Sequence, residues 1–304
     1  MIPVSIIIRL IQEFGILPQI CGVLEPVMSV VGLPAETAIV WLSALVVNIY
    51  GGLLSFFSIY PALSQPLTSC QVTVLLTMVI VAHNFPVEVG IANKTGIKFW
   101  VMTLIRFLGA ILIGAVLNIT YTLTGTLQET VTLPEFLATE HLDWGAWALH
   151  ELKNYCLIAC VIFALVAFLR ILELLGFIKV FNKIMLPLLG WLGISEKMLP
   201  LTVVGLTMGL AYGGGLIVEE GSKSGIKPKD IFYSMTLMGL FHSIFEDTLL
   251  IISAGAHWTG VILIRGILAF AVTFVFVALT RKMKDEKFAK MFMTKKFRER
   301  MNEV

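Results

Sequence analysis

RLIQEFGILPQICGVLEPVMSVVGLPAE runs from Arg9 to Glu36, and RILELLGFIKVFNKIMLPLLGWLGISEK runs from Arg170 to Lys197. Set against each other, Arg9 meets Arg170, Gly15 meets Gly176, Pro26 meets Pro187 and Gly32 meets Gly193. The register continues outward. Tyr50-Gly51-Gly52 meets Tyr212-Gly213-Gly214 and Pro66 meets Pro228; after a small gap His83 meets His242, Glu88 meets Asp247 and Arg106 meets Arg265. Chance apolar similarity exchanges Leu for Val. It does not return Arg, Gly, Pro and His in one order, so the chain reads as two copies of one unit.

Each copy has the same elements. An apolar helix ends at the arginine, and an amphipathic segment follows (Phe14–Val31, Phe177–Leu192). An apolar stretch interrupted by Tyr-Gly-Gly comes next (Glu36–Leu63, Glu196–Ser224). Two apolar helices close the unit: Leu67–Ala92 with Phe99–Asn118, and Ile231–Ala254 with Thr259–Leu279. A spanning helix needs about 20 apolar residues. Met1–Leu10 is shorter than its counterpart before Arg170 and lacks the basic start and small-residue cleavage site of a signal peptide, so this helix is expected to be incomplete.

Composition sets the solvent. Of 304 residues 58% are hydrophobic and only 14% charged, with a mean hydropathy of +0.91. Soluble domains carry about 25% charged residues, so this chain calls for a lipid bilayer. Net charge is +2. Outside the tail no basic face exists to follow a phosphate backbone, which argues against nucleic acid. Cys21, Cys70, Cys156 and Cys160 match no zinc or haem spacing.

Lysine and arginine assign the sides. None occurs between Arg9 and Lys94, or between Arg106 and Lys153, and Tyr121–Glu151 is acidic. By the positive-inside rule these regions face outward, whereas Lys94–Lys98, Lys179–Lys183, Lys223–Lys229 and the tail from Arg281 face the cytoplasm. The Gly-interrupted stretch of the second copy has Lys197 and Lys223 at its ends, so it enters from the cytoplasm and returns there. Its twin lacks basic ends and enters from outside. Each copy then crosses three times, and tandem copies must be inverted. The expected fold is an all-α polytopic membrane protein of two inverted repeats, each with an interfacial helix, a re-entrant Gly-tipped hairpin and spanning helices, one of them interrupted. The expected layout is repeat 1 at 1–124, an acidic external connector at 125–152, repeat 2 at 153–280 and a basic cytoplasmic tail at 281–304, in the inner membrane. Cysteines at Ser64 and Ser224 are expected to label from opposite sides.

Inverted repeats with broken helices place their sites near the midplane. The expected hairpin tips are Asn48–Gly52 and Ala211–Gly215, with Asn48, Tyr50, Gly51, Gly52, Tyr212, Gly213 and Gly214 near a ligand; close helix packing is the competing use of such glycines. The second constellation is His83-Asn84-Phe85-Pro86-Val87-Glu88 and His242-Ser243-Ile244-Phe245-Glu246-Asp247, inside otherwise apolar helices. An intramembrane carboxylate costs about 2.5–3.5 kcal/mol on insertion scales, so such residues usually serve a purpose. His242 and Glu246 are four apart and share a helix face; His83 and Glu88 are five apart and in a regular helix do not, but a break at Pro86 brings them together. Arg106 and Arg265 are candidate countercharges. His83, Glu88, His242, Glu246 and Asp247 are candidate metal ligands, with Asn84 and Ser243 beside them. Glu219 and Glu220 have no acidic counterpart in the first copy and read as solvated at a pore mouth.

NIYGG (Asn48–Gly52), AHNFPVE (Ala82–Glu88), AYGGG (Ala211–Gly215) and FHSIFED (Phe241–Asp247) resemble the gate, or nucleoside-recognition, family. That family includes the core of concentrative nucleoside transporters, the membrane part of bacterial ferrous iron transporters and the spore maturation proteins. The resemblance covers nearly the whole chain, implies a fold with the site at tips and interrupted helices, and leaves the solute open. Unlike the iron transporters, the chain has no P-loop sequence.

The leading function is therefore a secondary transporter or channel-like permease for a nucleoside-like solute or a metal or other cation. It needs no cofactor beyond a coupling cation: H+, Na+ or a divalent metal. The alternative is a non-transporting membrane subunit acting with a partner, to which the Phe288, Met291 and Phe292 stripe of the tail offers an apolar face. An enzyme is not expected, since neither H-E-x-x-H nor a recognisable Ser/His spacing occurs. A homodimer or trimer is expected.

Overall fold

The computed structural model describes residues 6–7, 9–10, 13–14, 17–132, 143–221 and 226–302. Ser224 and part of Met1–Leu10 lie outside them. The described elements are helical, apart from two isolated bridge pairs. In chain order the helices are α1 Leu17–Val30, α2 Ala38–Val46, α3 Ile49–Ile59, α4 Ser69–Val81, α5 Phe85–Lys94, α6 Phe99–Thr124, α7 Trp144–Leu174, α8 Phe177–Trp191, α9 Leu199–Met208, α10 Leu210–Gly221, α11 Pro228–Phe241, α12 Glu246–Ser253, α13 Arg265–Thr280, α14 Asp285–Phe292 and α15 Lys295–Asn302. A π-helical turn, Thr259–Ile264, leads into α13. Phe99–Thr124, Trp144–Leu174, Thr259–Thr280 and, taken across its break, Pro228–Ser253 are long and apolar enough to cross a membrane.

The chain forms two compact units, and they do not coincide with the two repeats. Unit 1 comprises Met1–Asn84, Ala110–Phe168 and Asp247–Ile264; unit 2 comprises Phe85–Gly109, Leu169–Glu246 and Arg265–Val304. Each unit thus contains one hairpin, the first half of its own interrupted helix and the second half of the other repeat's. The segment expected as a connector is partly helix, because α7 already begins at Trp144.

In unit 1 the amphipathic segment α1 meets the helix that follows at 103°, turning at Gly32 with φ +72°. A Cβ on Gly32 would fall 2.3 Å from Asn118 Oδ1, so glycine is required there on two counts. The hairpin α2–α3 reverses at Val47–Asn48. Asn48 is extended, and its Oδ1 accepts the Gly51 amide at 2.9 Å, which caps α3. Reversal is evident from Gly52, whose Cβ would lie 2.8 Å from Ala44 Cβ, although eight residues along a straight helix span about 12 Å. Helix α4 starts with a capping box: Thr68 Oγ1 accepts the Gln71 amide at 3.2 Å and Gln71 Oε1 accepts the Thr68 amide at 3.0 Å.

In unit 2 the hairpin α9–α10 reverses at Gly209, with φ +105°. The sequence reading put this tip at Ala211–Gly215. The structure moves it back, because Tyr212-Gly213-Gly214 forms the first turn of the returning helix. A Cβ on Gly213 would lie 2.5 Å from the Gly205 Cα, so these glycines let the two arms touch. Tyr212 is exposed and Gly213 and Gly214 are buried. Helix α11 opens with Pro228 in its first turn, where no amide donor is needed.

Candidate functional site

Both interrupted helices break at the same place. Helix α4 ends at Val81 and α5 resumes at Phe85; α11 ends at Phe241 and α12 resumes at Glu246. The residue after each histidine turns left-handed, Asn84 at φ +52° and Ser243 at φ +49°, a conformation rare outside glycine. Pro86 does not make its break. It sits in the first turn of α5, where proline is tolerated. Each break is held by a hairpin. The Asn84 amide donates to the Ala44 carbonyl in unit 1, and the Ile244 amide donates to the Leu206 carbonyl in unit 2, both at 2.9 Å. Ala44 and Leu206 each precede the tyrosine of Tyr-Gly-Gly by six residues. The acceptors thus keep the repeat register, while the donor lies one residue later in the second copy.

In unit 1 the pair is His83 with Asp247. Both are buried, and His83 Nε2 lies 3.8 Å from Asp247 Oδ2. In unit 2 the set is Glu88, His242 and Arg106. Glu88 Oε1 lies 3.5 Å from His242 Nε2, and Glu88 Oε2 lies 2.6 Å from Arg106. The pair expected in the second copy, His242 with Glu246, gives way in unit 2 to His242 with Glu88. The physical reason is the break itself. Residues 242–245 are not helical, so His242 and Glu246 do not share a face, and each second half-helix packs in the other unit. Glu246 is half-buried.

The tautomers follow from the backbone. His83 Nδ1 lies 3.1 Å from the Val79 carbonyl and His242 Nδ1 lies 2.8 Å from the Met238 carbonyl, each four residues back. A carbonyl only accepts, so Nδ1 carries the proton in both rings. In a neutral ring Nε2 then turns a lone pair toward a carboxylate oxygen. Two acceptors facing each other repel unless a proton or another cation stands between them. An imidazole and a carboxylate so placed can hold a proton or another cation between them, and the backbone carbonyl fixes each ring as it does for metal-bound histidines.

The arginines are repeat-equivalent, fully buried and used differently. Arg106 is the countercharge of Glu88, with its guanidinium 5.1 Å from the Phe85 ring centroid. Arg265 donates through Nε to Leu240 O at 3.0 Å and through a terminal nitrogen to His242 O at 2.9 Å, and it lies 5.1 Å from the Phe241 ring. It caps carbonyls left open where α11 ends. The sequence reading also missed Thr77 and Thr236, each six residues before its histidine. Both are buried, and their hydroxyls have no hydrogen-bond partner among the described residues. Their i−6 spacing from the two histidines was a signal available in the repeat.

In unit 1 a cavity of about 380 Å³ lies among Leu54, Phe57, Asn154, Ile158, Leu250 and Ala254. Its walls are mainly apolar, and Asn154 Nδ2 is 3.1 Å from His150 Nδ1.

No family model matches this chain, and no solved structure matches it. Over 289 residues it is 26% identical to the "Uncharacterized membrane protein YvoD" of Bacillus subtilis (strain 168), covering 93% of this chain and 89% of that protein. The chain is an all-helical, multi-pass membrane protein. The likeness runs through both repeats, so the relative shares the length over which the two copies extend.

Proposed function

We propose that this protein is a secondary transporter or channel-like permease of the gate type, moving a small solute or ion with cation binding at the two histidine–carboxylate pairs. One observation carries the reading: in each unit a buried imidazole, its Nδ1 committed to a backbone carbonyl, presents Nε2 to a carboxylate of the opposite repeat. Such an arrangement is suited to taking up and releasing a proton or a metal ion. The Arg106 guanidinium beside Glu88 repels any cation at that pair, and a divalent metal twice as strongly as a proton. The repeat-equivalent breaks and hairpins support inverted repeats, and the lysine distribution supports an inner-membrane protein with a cytoplasmic C-terminus.

The test is flux in liposomes of the purified chain, with an imposed pH gradient, against a panel of divalent metals and nucleosides. Wild type should move H+ together with one class of solute. Glu88→Gln and Asp247→Asn should each abolish that flux while the protein still elutes as a folded species. Undiminished flux in both variants would remove the pairs from the mechanism. No flux of any panel member in wild type would leave the reading of a subunit that works with a partner.

A further inference from the structure

Nine of the chain's 22 Lys and Arg fall in residues 281–304, against four acidic residues. A chain of net charge +2 therefore carries +5 in its last 24 residues. A simple stop signal needs the charge and nothing else. The structure gives this segment a defined fold against unit 2.

Its apolar side is used up within the protein. Phe288, Ala289 and Met293 are buried, and the rings of Phe288 and Phe292 lie 5.4 and 4.7 Å from that of Phe232 on α11. The stripe that seemed available to a bilayer or a partner is therefore occupied, with Met291 alone left exposed. The segment is also clasped at several points. The Ile97 and Met293 backbones form a bridge, and the Lys98 amide donates to Phe292 O at 2.9 Å. Lys98 Nζ donates to the carbonyls of Lys290 and Met291 at 2.8 and 2.9 Å, satisfying groups left open at the end of α14. Lys229 Nζ is 3.0 Å from Asp285 Oδ1. Gly96 admits the Phe297 ring, where a Cβ would fall 2.4 Å from it.

What remains outward is mainly cationic: Arg281, Lys282, Lys284, Lys287, Lys290, Lys295 and Lys296 are exposed, against Glu286 and Glu299, the latter 3.5 Å from Lys295. Chain connectivity gives their place. Apolar α13 ends at Thr280, so Arg281 and Lys284 follow it directly, and Lys98, which clasps the end of α14, immediately precedes the apolar helix α6. We infer that the folded tail is a preformed docking surface for the headgroups of anionic phospholipids in the membrane that holds the protein. Anchoring by inserted apolar side chains is replaced by charge, since the rings face inward. Cations near such a surface attract it additively and within about a Debye length. The lipid is preferred to a soluble polyanion because the platform sits where headgroups are densest.

The experiment uses the full chain in mixed nanodiscs of phosphatidylglycerol and phosphatidylcholine, with retained lipid read by native mass spectrometry after detergent release. Wild type should retain phosphatidylglycerol in preference. The triple variant Lys284→Gln, Lys287→Gln, Lys290→Gln leaves every ring contact and the Lys98 cap in place. It should lose that preference by on the order of a hundredfold, from roughly 1 kcal/mol per lysine. Wild type in 1 M salt should lose it too, which serves if the variant fails to fold. Equal retention of both lipids by wild type, retention unmoved by salt, or competition by an acidic peptide or RNA at lower concentration than phosphatidylglycerol would overturn the assignment.

Discussion

Glu88 and Arg106 form a buried ion pair, and removing one partner of such a pair leaves a charge stranded. Breaking one typically costs about 3–5 kcal/mol, whereas replacing both partners can be nearly neutral. Glu88→Gln and Arg106→Gln should therefore each lower stability by about 3 kcal/mol, and the double variant by clearly less than their sum. Thermal melts of the four proteins in one detergent measure the coupling. Strict additivity would mean that the 2.6 Å contact carries no energy. At this scale much was legible in the sequence. His83, Glu88, His242 and Asp247 stood out as ionisable residues in apolar helices, and Arg106 as a candidate countercharge. Their pairing was not legible, because a one-dimensional spacing rule presumes an unbroken helix.

The hairpins show how an element can be recognised while its parts are misplaced. Tyr-Gly-Gly marks a reversal, yet the turn lies three to five residues earlier in the second copy, at Gly209. The glycines after it serve the contact between arms. Gly213→Ala should press its methyl into Gly205, at 2.5 Å, and into Met238 Sδ, at 2.9 Å. Overpacking of this kind costs about 1–3 kcal/mol. Gly215→Ala, which meets nothing within 4 Å, should be neutral or slightly stabilising, since alanine favours a helix. Comparing the two melting temperatures checks the packing role. Equal effects would return the glycines to the role of ligand-facing tips. The tail follows the same lesson: its heptad-like stripe of Phe288 and Phe292 was visible, but which surface it covered was not.

On the scale of the whole molecule, the prediction concerns orientation. With the four native cysteines replaced by serine, single cysteines at Ser64 and at Lys227, both exposed positions flanking the hairpins, should react with a membrane-impermeant maleimide from opposite sides of right-side-out vesicles. Labelling of both from one side would refute inverted insertion, and with it the midplane argument for the site.

The sequence by itself determined that this chain lives in lipid, that two stretches of it match at one register, and that histidines and carboxylates lie at matched positions within apolar segments. These follow from composition, from identity at a constant register and from charge asymmetry, all of which are properties of a string. Only the tertiary structure decided which histidine meets which carboxylate, that Asn84 and Ser243 make the breaks, that Arg265 caps a helix end while Arg106 neutralises a charge, and that the tail turns its rings inward. Those facts depend on backbone dihedrals and on contacts between segments more than a hundred residues apart, and a broken helix frees its second half to pack wherever its buried groups find partners.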